Sequence, residues 1–585
     1  MILVSQETIK AYRDKGWWSE ETIGGLFLDT AEQQAHHLAV VDPPNRYAIT
    51  ADQPLSWTWA ALLEQVGRFT ALLHAQGLRK DDVIVVQLPN CVEMHAIYLA
   101  CAISGIVVSP VPVQYRRHEL QHVFEKTQAK LAMTTHHIGN YFAAQEWALN
   151  ASHFQGLAQI WSLGNDLPAG IGSLTSLLSN SAPWRANQLR QHMQDSGVTA
   201  HDVLTICWTS GTEGRAKGVP RNHNEWLITG RTVIEAGQLQ RHARLLIPFP
   251  FVNMAGVSTS LSAWLQVGGT LFHHHPFDLD IFVSQLRSYI IDYSVAAPAV
   301  LGLILKQPEK MLGANLSQLK KIGSGGGPLA EWIMEEMKIQ FDIEVVNYFG
   351  SNEGAALCAC PLDMPERATR ALYFPRMGVP DFSWQLSVAE KIQTRLVDLK
   401  TGQDIHEPGQ IGELRFKGPT VFSGYYKAPE LTARAFDDQG FYRTGDLFEI
   451  AGDERQYYRF AGREKDIVIR GGMNISSEEI EGLLMSHPKV KEAAVIGAPD
   501  PIMGERVCAV VVRQSGHEVT LKDLTDHLKH VKDVASFKWP EQLIFLGELP
   551  RNPLGKILKR ELRERFFPKT TAHPMAYEGR SPLEL

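Results

Sequence analysis

The sequence predicts an α/β protein with a large N-terminal domain of several subdomains and a small α+β domain after it. Three observations predict it. Helix-period stretches alternate with short β-branched runs as far as about residue 360, the pattern of parallel sheets covered by helices. Between about 375 and 460, short alternating segments separated by turn residues indicate a smaller antiparallel β region. After about 466, helix and strand patterns mix in one compact stretch.

The opening 50 residues read as helical or loop packing. SWTWAALLEQVGRFTALLHAQGL is amphipathic and stops at Gly77. DDVIVVQLP is a short strand ended by Pro89, VEMHAIYLACAISG a helix, and IVVSPVP a second buried strand. Similar apolar runs recur at ARLLIPFP, GGTLFHHH, YSVAAPAV and IEVVNYFG. WQLSVAEKIQTRLVD, GQIGELRFKGP and YYRFAGR carry the β region. In the last part, SSEEIEGLLMSHP is a capped helix, VKEAAVIGAPD and ERVCAVVVRQ are strands, and LKDLTDHLKHVK is a helix. The expected boundaries are residues 1–461, a joining segment at 462–466 that the resemblance described below makes a hinge, a small domain at 467–567 and a flexible tail at 568–585.

The 585 residues are 44% apolar and 21% charged, an ordinary globular balance. At roughly 150 residues per domain, that length suggests about four folded units. A net charge of −7 supplies no basic field for nucleic acid, so a polyanionic ligand needs a local site. Six scattered cysteines do not form a disulfide framework, and Cys358 and Cys360 read as packed thiols. The N-terminus lacks a secretory pattern and no apolar stretch is long enough to span a membrane, so a cytoplasmic location is expected.

The most informative segment is Cys207-Trp-Thr-Ser-Gly-Thr-Glu-Gly-Arg-Ala-Lys-Gly-Val219. Its glycines let the backbone present N–H groups, its hydroxyls add donors, and Lys217 adds a cation, which is the chemistry that holds a polyphosphate. It is not a GxxxxGK[ST] loop. Downstream come Gly325-Gly-Gly-Pro328, Asn347-Tyr-Phe-Gly-Ser-Asn-Glu353, Gly412-Glu-Leu414, Gly424-Tyr425, Tyr442-Arg-Thr-Gly-Asp446, Gly462-Arg-Glu-Lys-Asp466, Arg470-Gly-Gly-Met-Asn-Ile475 and Pro550-Arg-Asn-Pro-Leu-Gly-Lys556.

Type and order of these motifs resemble the adenylate-forming, AMP-binding superfamily over residues 20–565. They resemble those of acyl-CoA synthetases such as the medium-chain fatty acid-CoA ligases, and of the siderophore aryl-acid AMP ligases. The resemblance implies an N-terminal AMP-binding domain, an associated C-terminal domain, and a two-step reaction: a carboxylic acid is joined to AMP with release of pyrophosphate, then passed to a thiol. It implies ATP, Mg²⁺ and coenzyme A as cofactors or co-substrates. Thr209, Ser210, Gly211, Thr212, Gly214 and Lys217 would hold phosphates, and Glu353 would hold Mg²⁺. Gly326, Gly327, Phe349 (or Tyr348) and Gly350 would border adenine, Asp446 would bind ribose, and Arg463 would contact the ribose or α-phosphate side. Lys556 would act in the adenylation step, after which the small domain swings about Asp466 and brings Gly471 and Gly472 to the thiol. Asn352 departs from the family, which usually has Thr there, and puts hydroxyl contact with the α-phosphate in doubt.

The acid-pocket motif reads Pro248-Phe-Pro-Phe-Val-Asn-Met-Ala-Gly256. It lacks the Asp that amino-acid-activating relatives place near here. Phe251, Val252, Asn253, Met254, Gly325 and Tyr348 are the expected pocket residues, and an apolar medium-chain, alicyclic or aromatic acid is the expected substrate. Asn253 either meets a substrate oxygen or is a satisfied structural side chain. Coenzyme A is the favoured acceptor. Pro220-Arg-Asn-His-Asn224 resembles the siderophore ligases and keeps a carrier protein open as the alternative. No carrier module is visible after residue 565, so any carrier would be a separate protein. His273, His274 and His275 read as a strand exit, and His223 as at least as structural as ligand-binding.

Overall fold

The computed structural model describes residues 1–209, 216–327, 329–463, 466–470, 473–500, 503–532, 534, 536–552 and 555–568. The chain divides into two compact units, Met1–Ala461 and Gly462–Leu585.

The first unit holds three sheets. One has eight strands, ordered Ala356–Ala359, Glu344–Gly350, Lys321–Gly325, Tyr293–Val295, Arg244–Ile247, Thr270–His273, Leu38–Val41 and Ser56–Thr58. Its six inner strands pair in parallel, and the two edge strands are antiparallel. A second sheet has seven strands, ordered Gly172–Ser173, Gln159–Leu163, Leu131–Thr135, Val83–Val86, Val107–Pro110, Val203–Thr209 and Lys217–Asn222. Only its last pair is antiparallel. The third is a five-stranded sheet, ordered Tyr373–Pro375, Tyr457–Arg463, Tyr442–Ala451, Ile411–Lys417 and Gln393–Val397.

The helix Val92–Ser104 shows why the predicted elements form where they do. All of its residues are buried, as expected of a helix that is apolar all round and has protein on every side. It packs against helices Ile23–Gln33, Trp59–Ala75 and Ala186–Asp195. It ends at Gly105, whose φ of +68° closes the last turn. The helix Trp59–Ala75 starts where the Thr58 hydroxyl accepts from the Ala61 amide, a cap worth about 1 kcal/mol. Trp59 stacks on Trp264 at 4.6 Å, and the Trp264 indole donates to the Ala39 carbonyl.

Two local readings need correction. The opening 50 residues contain a buried strand, Leu38–Val41, as well as helices. The segment LKDLTDHLKHVK is not one regular helix: α-helical Leu521–Asp526 continues as a π turn over His527–Val531.

In the second unit, strands Met473–Ile475, Val468–Arg470, Gly504–Arg513 and Val490–Asp500 form a sheet in that order, and Gln542–Phe545 pairs in parallel with Gly504–Arg513. Helix Ser477–Met485 packs on Val490–Asp500. Among the described residues no helix is long and apolar enough to cross a membrane. All six cysteines are free and buried.

Several histidines are buried as neutral rings. Burial pulls His95, His223 and His275 down to about 4, and His273 well below the ordinary value. The His223 Nδ1 accepts from the Ile23 amide at 3.1 Å, which requires that nitrogen to be unprotonated. An unfolded histidine takes its proton near 6.5, so the contribution of each ring is complete above that pH and is lost as pH falls toward 4. Buried Glu225 and Glu481, pushed up to about 7, act with the opposite sign over the same window. The test is therefore a difference. The stability gap between the parent protein and His223→Gln should narrow by about 1.6 kcal/mol in all as pH falls from 6.5 to 5, measured by urea unfolding. A gap independent of pH would contradict a neutral buried His223.

Candidate functional site

The glycine-rich segment joins two strands of a hairpin. Thr209 and Lys217 are cross-strand partners at its mouth. Of the expected phosphate-holding residues, Ser210, Gly211, Thr212 and Gly214 lie outside the described residues. The second strand is clamped at its start, where the Tyr426 amide donates to the Gly218 carbonyl at 2.9 Å.

Lys217 Nζ sits 4.8 Å over the ring of Tyr425, and the Tyr425 hydroxyl donates to Glu353 Oε1 at 2.9 Å. The strand Lys217–Asn222, the Gly424-Tyr425 motif and the motif glutamate thus converge through one aromatic ring. Glu353 is 7% exposed, so its carboxylate needs such a donor. Burial, followed by the Glu353 charge, pushes the Tyr425 phenol well above the ordinary tyrosine range, which keeps it a donor. Phe422 packs edge-on against both Tyr425, at 4.9 Å, and Tyr442, at 5.5 Å.

Glu353 projects from a tight turn. The Gly354 amide donates to the Ser351 carbonyl and the Phe422 amide to the Glu353 carbonyl. Gly354 has φ +94°, and a Cβ there would lie 1.8 Å from the Thr420 carbonyl oxygen, so no other residue fits. The Asn352 side-chain oxygen is engaged within the fold: Oδ1 accepts from the Met254 amide at 2.7 Å, at the start of the short helix Met254–Val257.

Asp446 owes its position to an irregularity in the β region. Glu413 pairs with Leu447 and Arg415 with Arg443, so Leu414 alone faces Thr444, Gly445 and Asp446. Gly445 takes φ +67° there, and the Thr444 hydroxyl donates to the Leu414 carbonyl at 2.6 Å. Asp446 is 4% exposed. Two residues on, Phe448 meets Phe349 edge-on at 5.1 Å. Phe349 also lies near Phe374, Phe416 and Phe460 and remains half-buried. Part of its ring is therefore core, while the adjacent Gly350 is exposed.

The residues expected to line the acid pocket differ in burial and bonding. Tyr348 faces Gly325 across the strand pair, and its hydroxyl is 3.1 Å from that of Tyr293. A Cβ on Gly325 would come within 2.6 Å of the Tyr348 carbonyl oxygen, a close approach that only glycine permits. Gly326 and Gly327 are exposed at the end of that strand. Met254 is half-buried. Phe251 is fully buried and stacks on Tyr98 at 4.4 Å, and Val252 is also buried. Asn253 Oδ1 accepts from the Gly256 amide at 3.0 Å and caps the short helix Met254–Val257.

Arg463, Asp466 and Lys556 belong to the second unit. Asp466 Oδ1 pairs with Arg563 at 3.2 Å, and its carbonyl accepts from the Ser477 hydroxyl. Lys556 lies on a turn held by Asn552: the Lys556 amide donates to Asn552 Oδ1 and the Asn552 amide to the Lys556 carbonyl, both at 2.8 Å. Arg463 ends the strand Tyr457–Arg463. Gly471 and Gly472 lie outside the described residues.

Sequence reasoning missed Tyr425 and Arg221 as site residues, although both stand in quoted motifs. His223 is buried against the Ile23 amide, and His274 lies between Gln285 and the Asp278 amide, so both are bonded within the fold.

A model of the AMP-binding enzyme family matches residues 27–426, and one of the AMP-binding enzyme C-terminal domain matches residues 479–556. The chain is 30% identical to the medium-chain fatty-acid–CoA ligase of Escherichia coli K12, over 97% of its own length and 95% of the relative's. It is 29% identical to pyochelin synthase PchD of Pseudomonas aeruginosa, over 95% and 94%. Among solved structures, ATP-bound MatB from Rhodopseudomonas palustris matches with a TM-score of 0.73 at 27% identity, covering 93% of this chain and 99% of that one. The chain belongs to the AMP-binding enzyme family and is an adenylate-forming acid ligase.

Proposed function

We propose that the protein activates a medium-chain, alicyclic or aromatic carboxylic acid as its acyl adenylate and transfers the acyl group to coenzyme A. The observation that carries this reading is the convergence of Lys217, Tyr425 and Glu353 beside the phosphate hairpin. The coenzyme A ending and the medium-chain acid are supported by similarity to the E. coli ligase.

In the first step a substrate carboxylate oxygen forms a bond to the α-phosphorus of ATP, and the bond to the pyrophosphate oxygen breaks. In the second, a thiol forms a bond to the acyl carbon, AMP leaves with the bonding electrons, and the thiol proton goes to solvent. Neither step requires a protein nucleophile, so the residues act by alignment and charge neutralisation. Thr209, Ser210, Thr212 and Lys217 hold the β- and γ-phosphates, and Asp446 accepts from the ribose hydroxyls. Lys556 bridges carboxylate and phosphate during adenylation, and residues 462–466 form the hinge that exchanges it for the Gly471–Gly472 loop.

Glu353 is the residue that would hold Mg²⁺. A single buried carboxylate fits an ion that takes its remaining ligands from phosphate oxygens and water. Among the described residues no group of three or more His, Cys, Asp or Glu is placed to enclose a metal. The ion would supply charge neutralisation on the phosphates. The six buried, free cysteines support a reducing, cytoplasmic setting.

A second reading keeps the adenylation step and changes the acceptor to the thiol of a separate carrier protein. It is favoured by Pro220-Arg-Asn-His-Asn224 and by the similarity to pyochelin synthase PchD.

Two measurements test these readings. Pyrophosphate release with Mg-ATP should be stimulated by medium-chain, alicyclic or aromatic acids and not by amino acids, and added coenzyme A should convert the product to an acyl-CoA. Acid-stimulated release that coenzyme A leaves unchanged would move the acceptor to a carrier protein, and no release with any acid would overturn both readings. Tyr425→Phe keeps the ring beneath Lys217 but removes the donor to Glu353. An unmet buried acceptor costs about 1–3 kcal/mol, so adenylation should fall roughly 10- to 100-fold with a raised Mg²⁺ requirement. Unchanged rates and Mg²⁺ dependence would detach Tyr425 from the reaction.

A further inference from the structure

Lys217 and Arg221 stand four residues apart on one strand, and the twofold repeat of a strand puts both on the same face. Lys217 is at the mouth of the hairpin, whereas Arg221 is fully buried. A buried guanidinium must be paired and hydrogen-bonded to be tolerated, and its partners show what it is for.

One side of the guanidinium is anchored. Arg221 Nε donates to Glu225 Oε2 at 3.1 Å, and the group lies 4.8 Å over the Trp226 ring. Glu225 is itself fixed by a reciprocal cap. The Asn222 amide donates to Glu225 Oε2 and the Glu225 amide to Asn222 Oδ1, both at 2.9 Å, where helix His223–Gly237 begins. The other side reaches into the site. Nη1 donates to the Asn352 carbonyl at 2.9 Å and lies 3.6 Å from the Met254 sulfur. Asn352 Oδ1 in turn accepts from the Met254 amide, so three residues from three distant segments close a ring. A Cβ on Gly354 would stand 2.8 Å from Nη1. The guanidinium therefore lies against both neighbours of Glu353, while the Glu353 side chain turns away to Tyr425.

We propose that Arg221 is a positioning residue that locks the Glu353 turn to the first residue of the acid-pocket helix, so that acid binding and the Mg²⁺ requirement of adenylation are coupled through one side chain. This rests on the reading of Glu353 as the residue that holds Mg²⁺. Movement of Met254 on entry of an acid is opposed by Arg221 and Asn352, and the Asn352 carbonyl and side chain carry it to the peptide that bears Glu353. Lysine cannot replace arginine here. It lacks the planar fork that fixes donors in two directions at once, and its ammonium is a compact point charge on a flexible stem that does not hold Glu225 and Asn352 in a set geometry.

The test uses Arg221→Lys, with Arg221→Met as a second variant and Met254→Leu as a mild change at the pocket end. Pyrophosphate release is measured against Mg²⁺ at saturating acid and against acid at saturating Mg²⁺, alongside melting temperature. Arg221→Lys should stay folded, and both its half-saturating Mg²⁺ and its KM for acid should rise about tenfold, because the turn and the helix lose the same tie. Any shift in Mg²⁺ dependence caused by Met254→Leu should disappear in the Arg221→Lys background, as a double-mutant cycle reads it. A lowered melting temperature with both concentration dependences unchanged would mean that Arg221 only stabilises the core, and would overturn the proposal. Glu353→Gln in the same assay separates the two claims. If it shifts the Mg²⁺ dependence and Arg221→Lys does not, the positioning role alone fails. If neither shifts it, the reading of Glu353 fails and the positioning role fails with it.

Discussion

The site depends on the strand Lys217–Asn222 and on how firmly it is held. Its pairing with Val203–Thr209 sets Thr209 opposite Lys217 at the mouth of the glycine-rich segment. The same strand carries Arg221 into the core and ends at the Asn222 cap of the next helix. A cation at each end of one short strand thus touches the two sides of a single turn: Lys217 through Tyr425 to the Glu353 carboxylate, and Arg221 directly to the backbone around it.

Buried charge makes that arrangement rigid. An exposed ion pair is worth about 0–1 kcal/mol, but removing one partner from a buried pair costs about 3–5 kcal/mol. Against a total stability of roughly 5–15 kcal/mol, the Arg221–Glu225 pair cannot be opened without consequence for the whole unit. Burial opposes both charges, pulling the arginine down and pushing Glu225 up to about 7. The pair is kept by the Asn222 amide, the Trp226 ring and the Asn352 carbonyl, which supply what water would otherwise supply. The second unit is organised around its own buried charges: Lys559 pairs with Glu481 at 2.8 Å and donates to Ser477, whose hydroxyl holds the carbonyl of Asp466.

The long periodic elements were legible because their period and punctuation agreed. Helix Trp59–Ala75 has its threonine cap and terminal glycine, and Val83–Val86 and Val107–Pro110 are β-branched runs between turn residues. Leu38–Val41 was not legible: four apolar residues fit a strand or a helix equally, and its parallel partner Thr270–His273 lies far along the chain. At the site, the motifs marked Lys217, Glu353 and Asp446 because glycine and charge cluster around them. What the sequence could not display was direction. Phe251 reads as a pocket wall, yet it is stacked on Tyr98 because Asn90 and the Tyr98 hydroxyl hold its backbone. Asn352 reads as a substitute for a phosphate-facing hydroxyl, yet its carbonyl oxygen serves the Met254 amide. Arg221 stood inside a quoted motif, and its meaning depended on Asn352, a partner that periodicity cannot reveal.

In the proposed reaction, Lys556 is needed for adenylation alone. The most direct measurement compares Lys556→Ala with the parent protein in the two half-reactions, using acid-dependent pyrophosphate release for the first and capture of supplied acyl-AMP by the thiol for the second. The account predicts a loss of orders of magnitude in pyrophosphate release and nearly normal thiol capture. Equal loss in both halves would contradict it.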